Sequence, residues 1–156
     1  MRGRLADCCQ VSATIAGRQR TIRLMKECEQ ILRDLNAKTF DAEVRKDVEG
    51  RHWDAYLREA LAPEFRLRRS NMQAKTQSVE QMIDFIKSAS PQPRTVVESE
   101  IVVWCDENVG AITSPATMVG ADGQVHRYQN VKVFVKKDRW RCVYWQVSEA
   151  PIDDQR

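Results

Sequence analysis

Arg69 is the residue of this sequence with the most chemical promise. In Phe65-Arg66-Leu67-Arg68-Arg69 it shares parity with Phe65 and Leu67. On a half-buried strand its guanidinium therefore points to the same interior as two apolar side chains. A buried guanidinium requires an anionic partner. Two kinds are open: a ligand's anionic group held by paired N–H donors, or an acid of the chain such as Glu98 or Glu100. Tyr56, on the apolar face of a helical segment, and Thr113, Tyr144 and Gln146, on strand-like segments, fall where they could line the same interior. With Arg69 they make up the candidate ligand-binding set, and none of them identifies a catalytic residue.

Other chemistries find less support. His52 and His126, the two histidines, stand apart from any His/carboxylate cluster and read as surface residues, so no metal site is expected. The five cysteines, Cys8, Cys9, Cys28, Cys105 and Cys142, form no C-x-x-C pair and are odd in number. Neither a zinc site nor a disulfide framework follows from that spacing. Cys28 on a helical stripe and Cys142 on a strand read as small core residues in a reducing compartment. No phosphate-binding, dinucleotide, serine-hydrolase or zinc-protease motif occurs, so no cofactor is expected.

These side chains must be held by a framework, and 156 residues suffice for one domain with its own core. Hydrophobic residues at 42% and charged residues at 30% are ordinary for a globular protein. Twenty-five basic against 22 acidic residues leave +3, too weak a surplus to imply nucleic acid. No apolar run is long enough for a signal peptide core or a membrane span, which predicts a cytoplasmic protein without membrane contact. The expected organisation is a mobile N-terminal tail over 1–17, a domain over 18–150 and a C-terminal tail over 151–156.

Within that domain, Leu24, Cys28, Ile31 and Leu35 recur at helical spacing between Arg20 and Leu35. Trp53, Tyr56, Leu57, Ala60 and Leu61 mark a second helix that Pro63 ends. Ser78-Val79-Glu80-Gln81 is a capping box opening a third, with Val79, Met82, Ile83 and Ile86 on one face. From Val96 onward four segments rich in β-branched and aromatic residues are separated by turn signals, among them Asp122-Gly123 and Lys137-Asp138. Helices first and strands afterwards predict an α+β fold, with helices packed on a curved, mainly antiparallel sheet.

Charge suggests which sheet face is buried. Placing Lys132, Lys136, Arg139 and Arg141 outward predicts an inner set of Val131, Val133, Val135, Trp140, Cys142, Tyr144 and Gln146. Phe134, Val143, Trp145 and Val147 then lie outside, an apolar patch that predicts a homodimer through the outer sheet face. A β-bulge would invert part of this assignment.

Two segments resemble the nuclear transport factor 2-like (SnoaL-like) superfamily: Glu49-Gly50-Arg51-His52-Trp53-Asp54-Ala55-Tyr56-Leu57 ahead of Ala62-Pro63-Glu64-Phe65, and the hairpin from Arg127 to Trp145 with its basic turn before Trp140. The resemblance spans roughly residues 20–150, with 37–49 looking like an insertion. It implies a cone with a mostly apolar internal pocket. The superfamily holds ketosteroid isomerases, dehydratases, cyclases and non-catalytic association domains, and fold alone does not choose among them. Isomerases of this type use an aspartate base whose position falls near Arg69, and arginine does not accept a proton at neutral pH. The resemblance therefore implies a domain that binds a small apolar or amphipathic molecule. An enzyme of the isomerase, dehydratase or cyclase type and an oligomerisation domain are the alternatives.

Overall fold

The stripe around Cys28 and Leu32 lies on a helix, α1 (Leu5–Glu43), and among its described side chains Cys28 is the first to be buried. The computed structural model describes residues 5–70, 75–90, 92–120 and 123–150, with side chains from residue 19 onward except that of Arg20. From Leu5 the backbone of the expected N-terminal tail continues α1, while residues 1–4 and the expected C-terminal tail, 151–156, lie outside the described residues. Residues 37–43 complete α1, and a turn follows in which Arg45, Glu49 and Gly50 take positive φ values of 62°, 53° and 73°.

Helix α2 (Trp53–Ala60) buries Trp53, Tyr56, Leu57 and Ala60, the i, i+3, i+4, i+7 set of one helical face. Helix α3 (Val79–Ser88) begins with the expected capping box: Gln81 N donates to Ser78 Oγ at 3.4 Å, and Ser78 N to Gln81 Oε1 at 2.9 Å. Met82, Ile83 and Ile86 face the core.

Among the described residues, seven strands form one curved, open sheet: β1 (Leu61–Arg69), β2 (Thr76–Gln77), β3 (Thr95–Val96), β4 (Val102–Cys105), β5 (Val109–Val119), β6 (Val125–Lys136) and β7 (Trp140–Ala150). Their order is β2-β1-β7-β6-β5-β3, with β4 also paired to β5. Of the described strand pairs, β1 with β7 is parallel and the others are antiparallel. The segment expected as one strand from Val96 to Cys105 is interrupted by a 3-10 turn at Glu98–Glu100. The architecture is the α+β cone expected from the sequence.

The facing of β6 and of the second half of β7 differs from the expectation: on β7 a bulge is the cause, and on β6 it is the burial of Lys132, which the charge pattern places outward. Phe134 pairs with Cys142 and Val133 with Tyr144, so Val143 is the extra residue on β7. Before it Trp140 and Cys142 point inward, as expected; after it Trp145 and Val147 do, and Tyr144 and Gln146 turn to the outer face. On β6 the inner set is Asn130, Lys132 and Phe134, leaving Val131, Val133 and Val135 outside. Phe134, Trp145 and Val147 are thus core residues at 1%, 0% and 6% exposure, not outer-face residues; Val143 alone of the four stays outside. The inward polar groups of β6 and β7 are paired. Trp145 Nε1 donates to Asn130 Oδ1 at 3.0 Å, and Asn130 Nδ2 to the Ser114 carbonyl at 3.2 Å.

The cysteine expectation is also corrected. Cys28 and Cys105 form a disulfide between α1 and β4, and Cys142 is a buried thiol. Their 77-residue separation hid the pairing, which only the approach of α1 to the sheet edge creates. Disulfides persist in oxidising compartments, so the cysteines no longer argue for a reducing one. That approach is close: a Cβ on Gly110 of β5 would lie 2.4 Å from Leu32 Cδ1. Among the described residues no helix is long and apolar enough to cross a membrane.

Candidate functional site

At the open end of the cone, the last turn of α1, the end of β1 and the C-terminal end of α3 surround a cavity of about 290 Å³. Glu43 ends α1, Arg69 ends β1, and Arg94 precedes β3; all three reach the cavity. Its apolar walls come from Val44, Phe85, Ile86, Met118 and Val147, and Glu149 stands at the rim.

Glu43 organises the charges. Arg94 grips its carboxylate as a fork, Nη1 to Oε2 at 2.6 Å and Nη2 to Oε1 at 3.0 Å. Arg69 adds one bond, Nη2 to Oε1 at 3.2 Å. Burial alone would raise the proton affinity of Glu43. The charges of Arg94, Arg69 and Lys132 outweigh it and hold the carboxyl below the usual range. Arg69 is 9% exposed, lies 4.9 Å from the Phe85 ring centre, and its Nε meets no acceptor among the described residues.

Arg45 fixes the wall formed by α3. Its left-handed backbone turns the guanidinium toward the end of that helix, where it donates to the carbonyls of Ile86, Lys87 and Ala89. These are carbonyls that a helix C-terminus leaves without intrahelical partners. Beneath the cavity Lys132 is fully buried. Its Nζ donates to Thr39 Oγ1 at 2.6 Å and sits 4.0 Å and 3.8 Å from the Phe40 and Trp145 ring centres. Burial brings its pKa down to about 7.

Of the five residues singled out in the sequence, only Arg69 lines this cavity, and its partner is Glu43 rather than Glu98 or Glu100. Tyr56 lines a separate hollow of about 190 Å³ with Lys38, Glu49, Arg51, Glu59 and Arg139. Its hydroxyl is buried without a partner among the described residues, and burial pushes its pKa up to about 12. Tyr144 and Gln146 are joined on the outer face, Tyr144 Oη donating to Gln146 Oε1 at 3.0 Å. Thr113, opposite Val131, shares that face. Glu43, Arg94 and Lys132 were missed. Glu43 closes a helix in a polar stretch, Arg94 lies in an irregular segment, and lysine on a strand ordinarily marks solvent. His52 is exposed and pairs with Asp54 at 2.5 Å, whereas His126 is half-buried and pairs with Glu149 at 2.9 Å. Among the described residues no three potential metal ligands cluster.

No family model and no curated protein matches the chain. Solved structures do. A nuclear transport factor 2-like protein of unknown function from Pseudomonas putida is 14% identical, with 84% of this chain and 92% of that one covered and a TM-score of 0.62. The CaMKII hub of S. rosetta is 18% identical over 81% and 96%, TM-score 0.60. A nuclear transport factor 2-like protein of Cytophaga hutchinsonii is 12% identical over 78% and 98%, TM-score 0.60. At these identities the likeness concerns the fold, and with the cone and its strand order it leads to one conclusion: the chain has the nuclear transport factor 2-like fold.

Proposed function

We propose that this domain binds a small, largely apolar or amphipathic molecule in the cavity between α1, β1 and α3. The observation that carries the reading is a cavity of about 290 Å³ with apolar walls and a buried guanidinium, Arg69, on its lining. Pockets of this size and make-up are what small ligands occupy. Glu43 supports binding over proton-transfer catalysis, because the arginines that hold it ionised also make it a weak base. Native mass spectrometry of the purified protein tests the reading. Extra mass that disappears on denaturation supports a bound small molecule. Bare subunits that also show no mass shift with millimolar amphipathic compounds would sink it.

A second reading, association, has an observation of its own. The outer sheet face carries Val102 and Trp104 at 64% and 57% exposure beside half-buried Val131, Val133, Val135 and Val143. We infer that a homodimer forms through this face, with Val143 the residue retained from the sequence-based patch. The likeness to a CaMKII hub favours an association role. Val133→Glu, whose charge would point outward, is expected to shift the solution mass from dimer to monomer while the circular dichroism stays native. A dimer unchanged by Val133→Glu and Trp104→Glu together would rule this face out.

A further inference from the structure

We propose that the ligand is a monocarboxylate with an apolar body, its carboxylate held by Arg69 and its body against Phe85, Ile86, Met118 and Val147. This deepens the binding-module reading and rests on it.

The argument begins with how the cavity's charges pair. Two guanidiniums share one buried carboxylate. Arg94 commits both Nη groups to Glu43 in the fork geometry that a carboxylate accepts best. Arg69 contributes a single longer bond at 3.2 Å, and the Nε of each arginine is unpaired among the described residues, so the difference between them lies in the fork. Glu43 and Arg94 therefore form the complete pair, and Arg69 is the surplus cation. At 9% exposure that cation has little water to compensate it, and the Phe85 ring offers only a weaker electrostatic contact.

One added negative charge balances the three buried groups, Glu43, Arg69 and Arg94, whereas two would exceed them. A doubly charged group would also approach Glu43, already ionised, and Glu149 at the rim. Phe85, Ile86, Met118 and Val147 offer an apolar wall beside polar Ser70, Ser90, Gln92 and Tyr128, and that wall suits an apolar ligand body. Planar carboxylate against planar guanidinium is the match that separates this class from a neutral amide, which offers one acceptor oxygen and no negative charge.

Isothermal titration of the intact protein at neutral pH with 3-phenylpropionate, 3-phenylpropanamide and phenyl phosphate tests the inference. The expected result is the acid binding about ten-fold tighter than the amide, the margin between charged and neutral hydrogen bonding. The acid should also bind tighter than the phosphate ester. Arg69→Gln should bring acid and amide to equal affinity. Arg69→Lys, which keeps the charge and loses the fork, should fall between and guards against a folding defect in the first variant. Equal binding of acid and amide by the unmodified protein overturns the carboxylate inference and leaves the pocket reading intact. Tightest binding of phenyl phosphate overturns the monoanion. Failure of all three to bind at millimolar concentration overturns both readings.

Discussion

Glu43→Ala is expected to lower the unfolding free energy by about 3–5 kcal/mol, the usual cost of removing one partner from a buried ion pair. The reason is what stays behind. Arg94 would lose both of its carboxylate bonds and Arg69 its one, leaving two largely enclosed guanidiniums facing each other without a counter-ion. Chemical denaturation with a two-state fit measures the loss. A change below about 1 kcal/mol, well short of that cost, would mean that water takes over the role of Glu43. The acid limb of the stability profile carries a second signature. The folded-state pKa of Glu43 is depressed, so its contribution is present above the unfolded carboxyl value. It is lost as pH falls through the lower folded value. Stability of the alanine variant should accordingly fall less steeply in acid.

Lys132→Met is expected to act in the opposite direction, stabilising the protein at neutral pH by about 1–4 kcal/mol, as replacements of buried charges by well-packed apolar side chains often do. Lys132 lies between Phe40 and Trp145, two rings already in edge contact with centres 5.7 Å apart, where an unbranched thioether fits. Thr39 would not be orphaned, because its hydroxyl donates to the Asn36 carbonyl at 2.9 Å. Titration identifies the cause of the gain. Burial depresses the folded pKa from 10.5 to about 7, so between those values the unfolded chain holds a proton that the folded one does not. Stability of the native sequence should rise as pH climbs from about 7 towards 10. The penalty is fully present below that window. The methionine variant should lose this slope, measured as the denaturation midpoint against pH. A slope that survives would assign it to other groups, and a destabilised variant would mean that the cation–ring contacts and the Thr39 bond outweigh desolvation.

The two variants probe opposite sides of one arrangement. Glu43 is a buried charge with more cations than it needs, and Lys132 is a buried charge whose nearest contacts are neutral. The surplus near Glu43 falls on Arg69, where the proposed ligand would dock.

Local periodicity and turn chemistry were enough to read the helical faces of α2 and α3, the Ser78–Gln81 cap and the change from helices to strands. Those signals depend on neighbours a few positions apart, which a chain displays without folding. The strand parity of Arg69 was legible for the same reason, since β1 reaches Arg69 with alternating burial after Glu64. Facing on β6 and β7 was not. The extra residue at Val143 reverses the alternation, and burial of Lys132 becomes tolerable only when Thr39, Phe40 and Trp145 converge on it from α1 and β7. Arg69 and Arg94 lie 26 and 51 positions from Glu43 and meet it only at the mouth of the cone. Cys28 and Cys105 likewise meet only where α1 crosses the edge strand. For α2, α3 and the long strands β5, β6 and β7, sequence alone determined the element type, because that choice is made by short-range sterics and hydrogen bonding. Tertiary structure decided which charges are buried together, because a charge enters the interior only where distant elements bring it a partner.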